Sequence, residues 1–225
     1  MRHATGACAA VAAGLLAAAL VAQGQQRGRV EDLAAGQFLV ASRKLPDPNF
    51  AEAVVLLIQY DDQGSVGLIV NRPSKTPLSR LFQDIEAAKE RTDPVYRGGP
   101  VAPFGAMALL RTRSRPEGAQ HIFADVYRSA DKDVLEKAIT DGTGPDAFRV
   151  YAGYAGWARH QLEREVRMGA WHIFPARVDT VFDPKPEEIW PRLIRRTELQ
   201  IAGSAPGPIP LADARGSVPS ERPSR

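Results

Sequence analysis

Apolar residues recur along this chain at two spacings, and the changes between them predict where strands give way to helices. Residues 53–60, AVVLLIQY, form an unbroken apolar run closed by Asp61-Asp62-Gln63-Gly64. That is the pattern of a strand buried on both faces and followed by a tight reversal. Residues 66–71, VGLIVN, complete the hairpin. An earlier strand is predicted over residues 36–41, GQFLVA, after which Pro46 and Pro48 force an irregular link. Pro73 and Pro77 bracket a turn, residues 78–82 read as a short helical piece, and the charged residues 84–93 as an exposed link. Val95-Tyr96, residues 106–110 and residues 121–127 predict three more strands.

Helical spacing takes over in residues 129–140, with Val134, Leu135, Ala138 and Ile139 on one face and Asp131 near the positive end of the dipole. Residues 149–176 predict a compact unit: a strand over 149–152, turns at Gly153 and Gly156, then a helix to Met168. Ala158, Leu162 and Val166 are its inward stripe, Glu163 and Arg167 an i,i+4 pair, Gly169 its stop, and a strand resumes at Trp171. Pro184 and Pro186 interrupt regular structure before a last helix over 187–196, with Ile189, Trp190, Leu193 and Ile194 inward.

Composition changes sharply at both ends. Residues 1–24 read as a cleavable export signal, with Arg2 ahead of an uncharged apolar run and small residues at 22–24. A retained anchor and a mis-called start near Val30 are the alternatives, the second implying the cytoplasm. Residues 25–32 read as a flexible linker, 33–202 as one domain with a single sizeable core, and 203–225 as a disordered tail rich in Pro, Gly and Ser. No membrane span is expected after signal removal. The formal net charge is +3, yet between Glu31 and Ala202 there are 23 Lys and Arg against 24 Asp and Glu. The excess lies in the termini, which weakens the electrostatic case for nucleic acid. The single cysteine, Cys8, excludes an intramolecular disulfide and any cysteine-built metal site.

Candidate chemistry is sparse. His121, His160 and His172 lack the spacing of metal ligands. Gly64-Ser65-Val66-Gly67 lacks the G-x-S-x-G order of a nucleophile elbow. Arg97-Gly98-Gly99-Pro100 could offer backbone N–H groups to an anion, although Pro100 removes a donor and no helix opens after it. No catalytic residues, metal or cofactor are predicted.

Five blocks in order, GQFLVA (36–41), DPNF (47–50), GLIVNRP (67–73), GGPV (98–101) and GYAGWARHQLEREVRMGAW (153–171), closely resemble the YqgE/AlgH family of small bacterial proteins. The resemblance implies a single α+β domain, a mixed and largely antiparallel β-sheet framework with helices packed around it. Family members have no established catalytic activity, and many are labelled transcriptional regulators. No helix-turn-helix pattern accompanies that label here. The leading expectation is a non-catalytic binding or regulatory protein with an unidentified protein or small-molecule partner. The alternatives are a transcriptional regulator and an uncharacterised enzyme drawing on Asn71, Arg72, Gln161 and Glu163. One shared cleft is predicted, lined by Asn71, Arg72, Gly98, Gly99, Trp157 and Gln161, against the alternative that the glycines and Trp157 serve packing alone.

Overall fold

A computed structural model of the protein describes residues 29–203. The segment read above as an export signal (residues 1–24), most of the expected linker and the expected tail beyond Gly203 lie outside the described residues. Ten strands form one curled sheet. They are β1 (Gln37–Ala41), β2 (Val54–Asp61), β3 (Gly64–Ile69), β4 (Pro73–Pro77), β5 (Pro94–Arg97), β6 (Val101–Arg111), β7 (Gln120–Phe123), β8 (Val126–Ser129), β9 (Phe148–Ala158) and β10 (Trp171–Pro175). The helices are α1 (Leu78–Leu81), α2 (Lys132–Thr140), α3 (Gln161–Arg167), α4 (Val178–Val181) and α5 (Ile189–Gly203). The main path runs β10-β1-β2-β3-β9-β6-β8-β7, while β5 joins β4 and lies parallel to β9. Every other strand pair described is antiparallel.

The two-sided burial expected of β2 organises the interior. Val54, Leu56 and Ile58 point into one layer with Phe38, Tyr151 and Phe174, closed by Ile189, Trp190 and Ile194 of α5. Val55 and Leu57 point into the other with Leu39, Trp157 and Trp171, closed by Leu162 and Val166 of α3. A third cluster holds Leu135 and Ile139 of α2 against Ala108, Phe148 and Val150. Asp131 caps α2, its carboxylate accepting the Asp133 N–H at 2.9 Å.

Several elements depart from the sequence expectation. β9 does not stop at Ala152 but continues to Ala158, and the helix starts only at Gln161, so Ala158 is an exposed strand residue. Tyr151, Gly153, Ala155 and Trp157 alternate inward, and pairing with β3 (Val66 to Gly156, Ser65 to Trp157) holds the strand through its glycines. Residues 121–127 are not one strand but the hairpin β7–β8, reversing at Ala124 with φ 44°. The bracketing prolines enclose the short strand β4. Within the supposedly exposed 84–93 link, Ala88 is fully buried and Arg91 pairs with Asp93 at 2.6 Å. Glu163 takes a hydroxyl from Tyr60 rather than pairing with Arg167.

Candidate cleft at Phe50, Trp157 and Glu165

The cleft begins with a clamp. Directly after β3, the Asn71 amide oxygen accepts the Val54 N–H at 2.8 Å and its amide nitrogen donates to the Glu52 carbonyl at 2.9 Å. The Arg72 guanidinium donates to the carbonyls of Asn49 and, at 2.6 Å, Ala51. Its pKa is drawn down from the ordinary value, first by burial and then by Arg97, and the carbonyls offset that cost. The residue between those carbonyls is Phe50. Its ring stacks on Trp157 with centroids 5.7 Å apart and meets Trp171 edge-on at 5.5 Å. Trp157 and Trp171 are themselves perpendicular, 5.9 Å apart. Such pairs add about 0.5–1.5 kcal/mol each beyond area burial.

One carboxylate organises the polar side of this cluster. Glu165 accepts both indole N–H groups on Oε2, Trp157 at 2.9 Å and Trp171 at 2.8 Å, and the Gln161 amide on Oε1 at 3.0 Å. Gln161 uses its other end to accept the Ala158 N–H at 3.1 Å. Beside this group opens a cleft of about 370 Å³, with Leu45, Pro46, Phe50, Trp157 and Met168 as its apolar wall. Ser42, Lys44, Asp47, Gln161 and Glu165 supply its polar lining.

Of the six residues expected in one cleft, Trp157 and Gln161 lie in the lining of this one. Asn71 and Arg72 do not line it; they hold the loop that presents Phe50. Gly98 and Gly99 are not among the lining residues either. They lie where the β5–β6 link crosses β9, and a Cβ on them would fall 2.3 Å from the Gly153 oxygen and 2.2 Å from the Tyr154 carbonyl carbon. Sequence reasoning passed over Glu165 and Phe50 as site residues. Glu165 stands four residues after Gln161 on one helix, which was a usable signal, whereas Phe50 was marked only as the end of the DPNF block.

In the first turn of α3, the Tyr60 hydroxyl donates to Glu163 at 2.8 Å. Burial, and then this bond and the Glu163 charge, push that hydroxyl up to about 12. A folded pKa above the unfolded value of about 10 favours the folded state fully below that pH and is lost as pH rises towards 12. Tyr60→Phe is expected to remove one high-pH ionisation from an ultraviolet titration and to flatten the alkaline loss of stability. A titration unchanged by the substitution would contradict this assignment.

Among the described residues there is no group of three or more His, Cys, Asp or Glu placed to hold a metal ion. No helix among them is long and apolar enough to cross a membrane. The molecule is thus a single α+β domain built on a largely antiparallel, curled sheet. A family model described as DUF179, AlgH-like, matches residues 38–202, and the chain belongs to this family. A UPF0301 protein of Anaeromyxobacter dehalogenans is 37% identical over 176 residues, covering 74% of this chain and 89% of that protein. A UPF0301 protein of Streptomyces avermitilis is 33% identical, covering 74% and 88%. The solution structure of the AlgH protein from Pseudomonas aeruginosa superposes with a TM-score of 0.62 at 30% identity, over 78% of this chain and 95% of that one. A crystal structure of a Corynebacterium diphtheriae protein shares the fold at a TM-score of 0.60 and 21% identity, over 80% and 91%.

Proposed function

We propose that this chain is a non-catalytic binding protein whose working surface is the Phe50–Trp157 cleft, and that it takes an extended apolar segment of a partner. One observation carries the reading: the Glu165 and Gln161 side chains of the cleft are already engaged by the protein's own groups. Glu165 is engaged by three donors and Gln161 by both of its ends. What faces a ligand is the apolar wall of Leu45, Pro46, Phe50, Trp157 and Met168. Met168, three-quarters exposed, adds an adaptable thioether to that wall. The reading is further supported by Ser42, the hydroxyl in the lining, whose Oγ has no hydrogen-bond partner among the described residues and so no base to take its proton.

The test is a fluorescence titration of the full chain, read on its tryptophans, with a capped decapeptide alternating Pro and Leu and with a charged decapeptide of equal length. The apolar peptide is expected to bind saturably and the charged one not. Phe50→Ala should weaken binding at least tenfold, and Arg72→Ala by less, since it loosens the loop without removing the ring. Equal binding by the parent and Phe50→Ala would place the surface elsewhere.

A further inference from the structure

We infer that the occupant of this cleft in the full chain is its own segment 206–211, Pro-Gly-Pro-Ile-Pro-Leu, which follows α5. The inference rests on the binding reading above and names the ligand. Three observations support it, and the first is where the helix leaves the domain. Glu198 of α5 pairs with Arg43 at 2.6 Å. Arg43 directly follows Ser42, a lining residue whose N–H donates to Ala170, another lining residue, at 2.9 Å. The ion pair thus ties the last turns of α5 to the residue that follows the cleft lining. From Glu198 to Gly203 the helix advances about 7.5 Å, and the six residues to Ile209 span up to about 20 Å.

The second observation is chemical. Residues 201–212, IAGSAPGPIPLA, carry no charge, and prolines stand at 206, 208 and 210. Alternating prolines favour an extended conformation and remove N–H donors, so such a segment enters an apolar site with few unpaired polar groups. The partly exposed Phe50 ring, backed by Trp157 at 5.7 Å, offers an aromatic surface of the kind that Pro-rich segments stack upon. The third is proximity in the chain. A short tether gives an effective concentration on the order of millimolar, so even a weak intrinsic affinity keeps the cleft half covered or better. An external partner then has to displace the segment, which makes it a built-in competitor.

The experiment uses the full chain in a Cys8→Ser background with a nitroxide attached through Ala212→Cys, read on the indole N–H signals. Trp157 and Trp171 lie in one core layer with the cleft, and Trp190 in the other. Loss of more than half of the Trp157 and Trp171 intensity is expected, with Trp190 much less affected, and Ile209→Asp with Leu211→Asp should restore both. Equal broadening of all three, or broadening that survives the aspartates, would overturn the inference. So would broadening seen only between labelled and unlabelled molecules and lost on dilution, which would point to a second copy inserting its fully exposed Phe104. A capped peptide of residues 204–215 added to the double-aspartate chain separates the two readings. If the Pro–Leu decapeptide binds and this peptide does not, the segment is wrong and the cleft stands; if neither binds, both fall.

Discussion

Replacing Gly99 with Ala is expected to prevent the domain from folding, and Gly98→Ala to do nearly the same. A Cβ on Gly99 would lie 2.2 Å from the carbonyl carbon of Tyr154, 2.3 Å from its oxygen and 2.4 Å from the Ala155 nitrogen. On Gly98 it would lie 2.3 Å from the Gly153 oxygen. These are backbone atoms, held on both sides: the Gly98 N–H donates to Ala152 at 2.8 Å and its carbonyl accepts the Ile69 N–H at 2.9 Å. Restoring a normal contact of about 3.5 Å requires a shift of more than an ångström and breaks ladder bonds at the junction of β3, β5 and β9. The cost exceeds about 4–5 kcal/mol, a large part of the roughly 5–15 kcal/mol that holds a typical domain. Gly169→Ala is the control, because nothing lies within 4 Å of its added Cβ and only its φ of +77° is penalised, at about 1–2 kcal/mol. Urea midpoints and soluble yield decide the matter. Should Gly99→Ala melt within a few degrees of the parent, the junction is not close-packed and the glycine pair returns to the list of ligand-facing groups.

How much was legible in the sequence follows from which signals are local. The β2–β3 hairpin, the face of α2 and the acidic Asp131 at its positive end were readable because each declares itself within a few residues. β9 was misread because its inward positions after Tyr151 are Gly153, Ala155 and Trp157. Small residues hide an alternation that only the partners on β3 and β6 enforce, and Ala158, Leu162 and Val166 offered a competing helical spacing. The β7–β8 reversal went unseen because Ala124 takes a positive φ without a glycine to announce it. Among the candidate site residues, Trp157 and Gln161 stood out in the sequence because they flank and open a helix. Asn71 and Arg72 were legible as polar groups at a strand end, but their hold on the loop was not: their partners, the carbonyls of 49, 51 and 52, are main-chain atoms about twenty residues away and leave no trace in side-chain chemistry.

Arg149→Met is expected to destabilise the domain by about 3–5 kcal/mol, although the sequence marks Arg149 only as a residue at the start of a strand. Its side chain is 4% exposed. No carboxylate meets it: Nε donates to Pro145 at 3.0 Å, Nη1 to Val181 at 3.0 Å and Nη2 to Asp183 at 2.6 Å, all main-chain carbonyls. The cation lies over Tyr96 at 5.0 Å and Phe182 at 5.8 Å. The Asp183 carboxylate, which might have neutralised it, is taken by Arg192. Methionine fills similar space but leaves three buried acceptors unpaired, one of them at the end of α4, where the helix cannot supply a donor. Lysine keeps the charge but not the planar fork that reaches three diverging carbonyls, so Arg149→Lys should recover only part of the loss. Because Val181 and Asp183 lead into α5, the damage should spread along that helix: hydrogen exchange over residues 178–199 is expected to accelerate more than exchange in β2. An Arg149→Met chain that unfolds at the parent's urea midpoint would show that solvent reaches these carbonyls and that Arg149 does not tie α4 and α5 to the sheet.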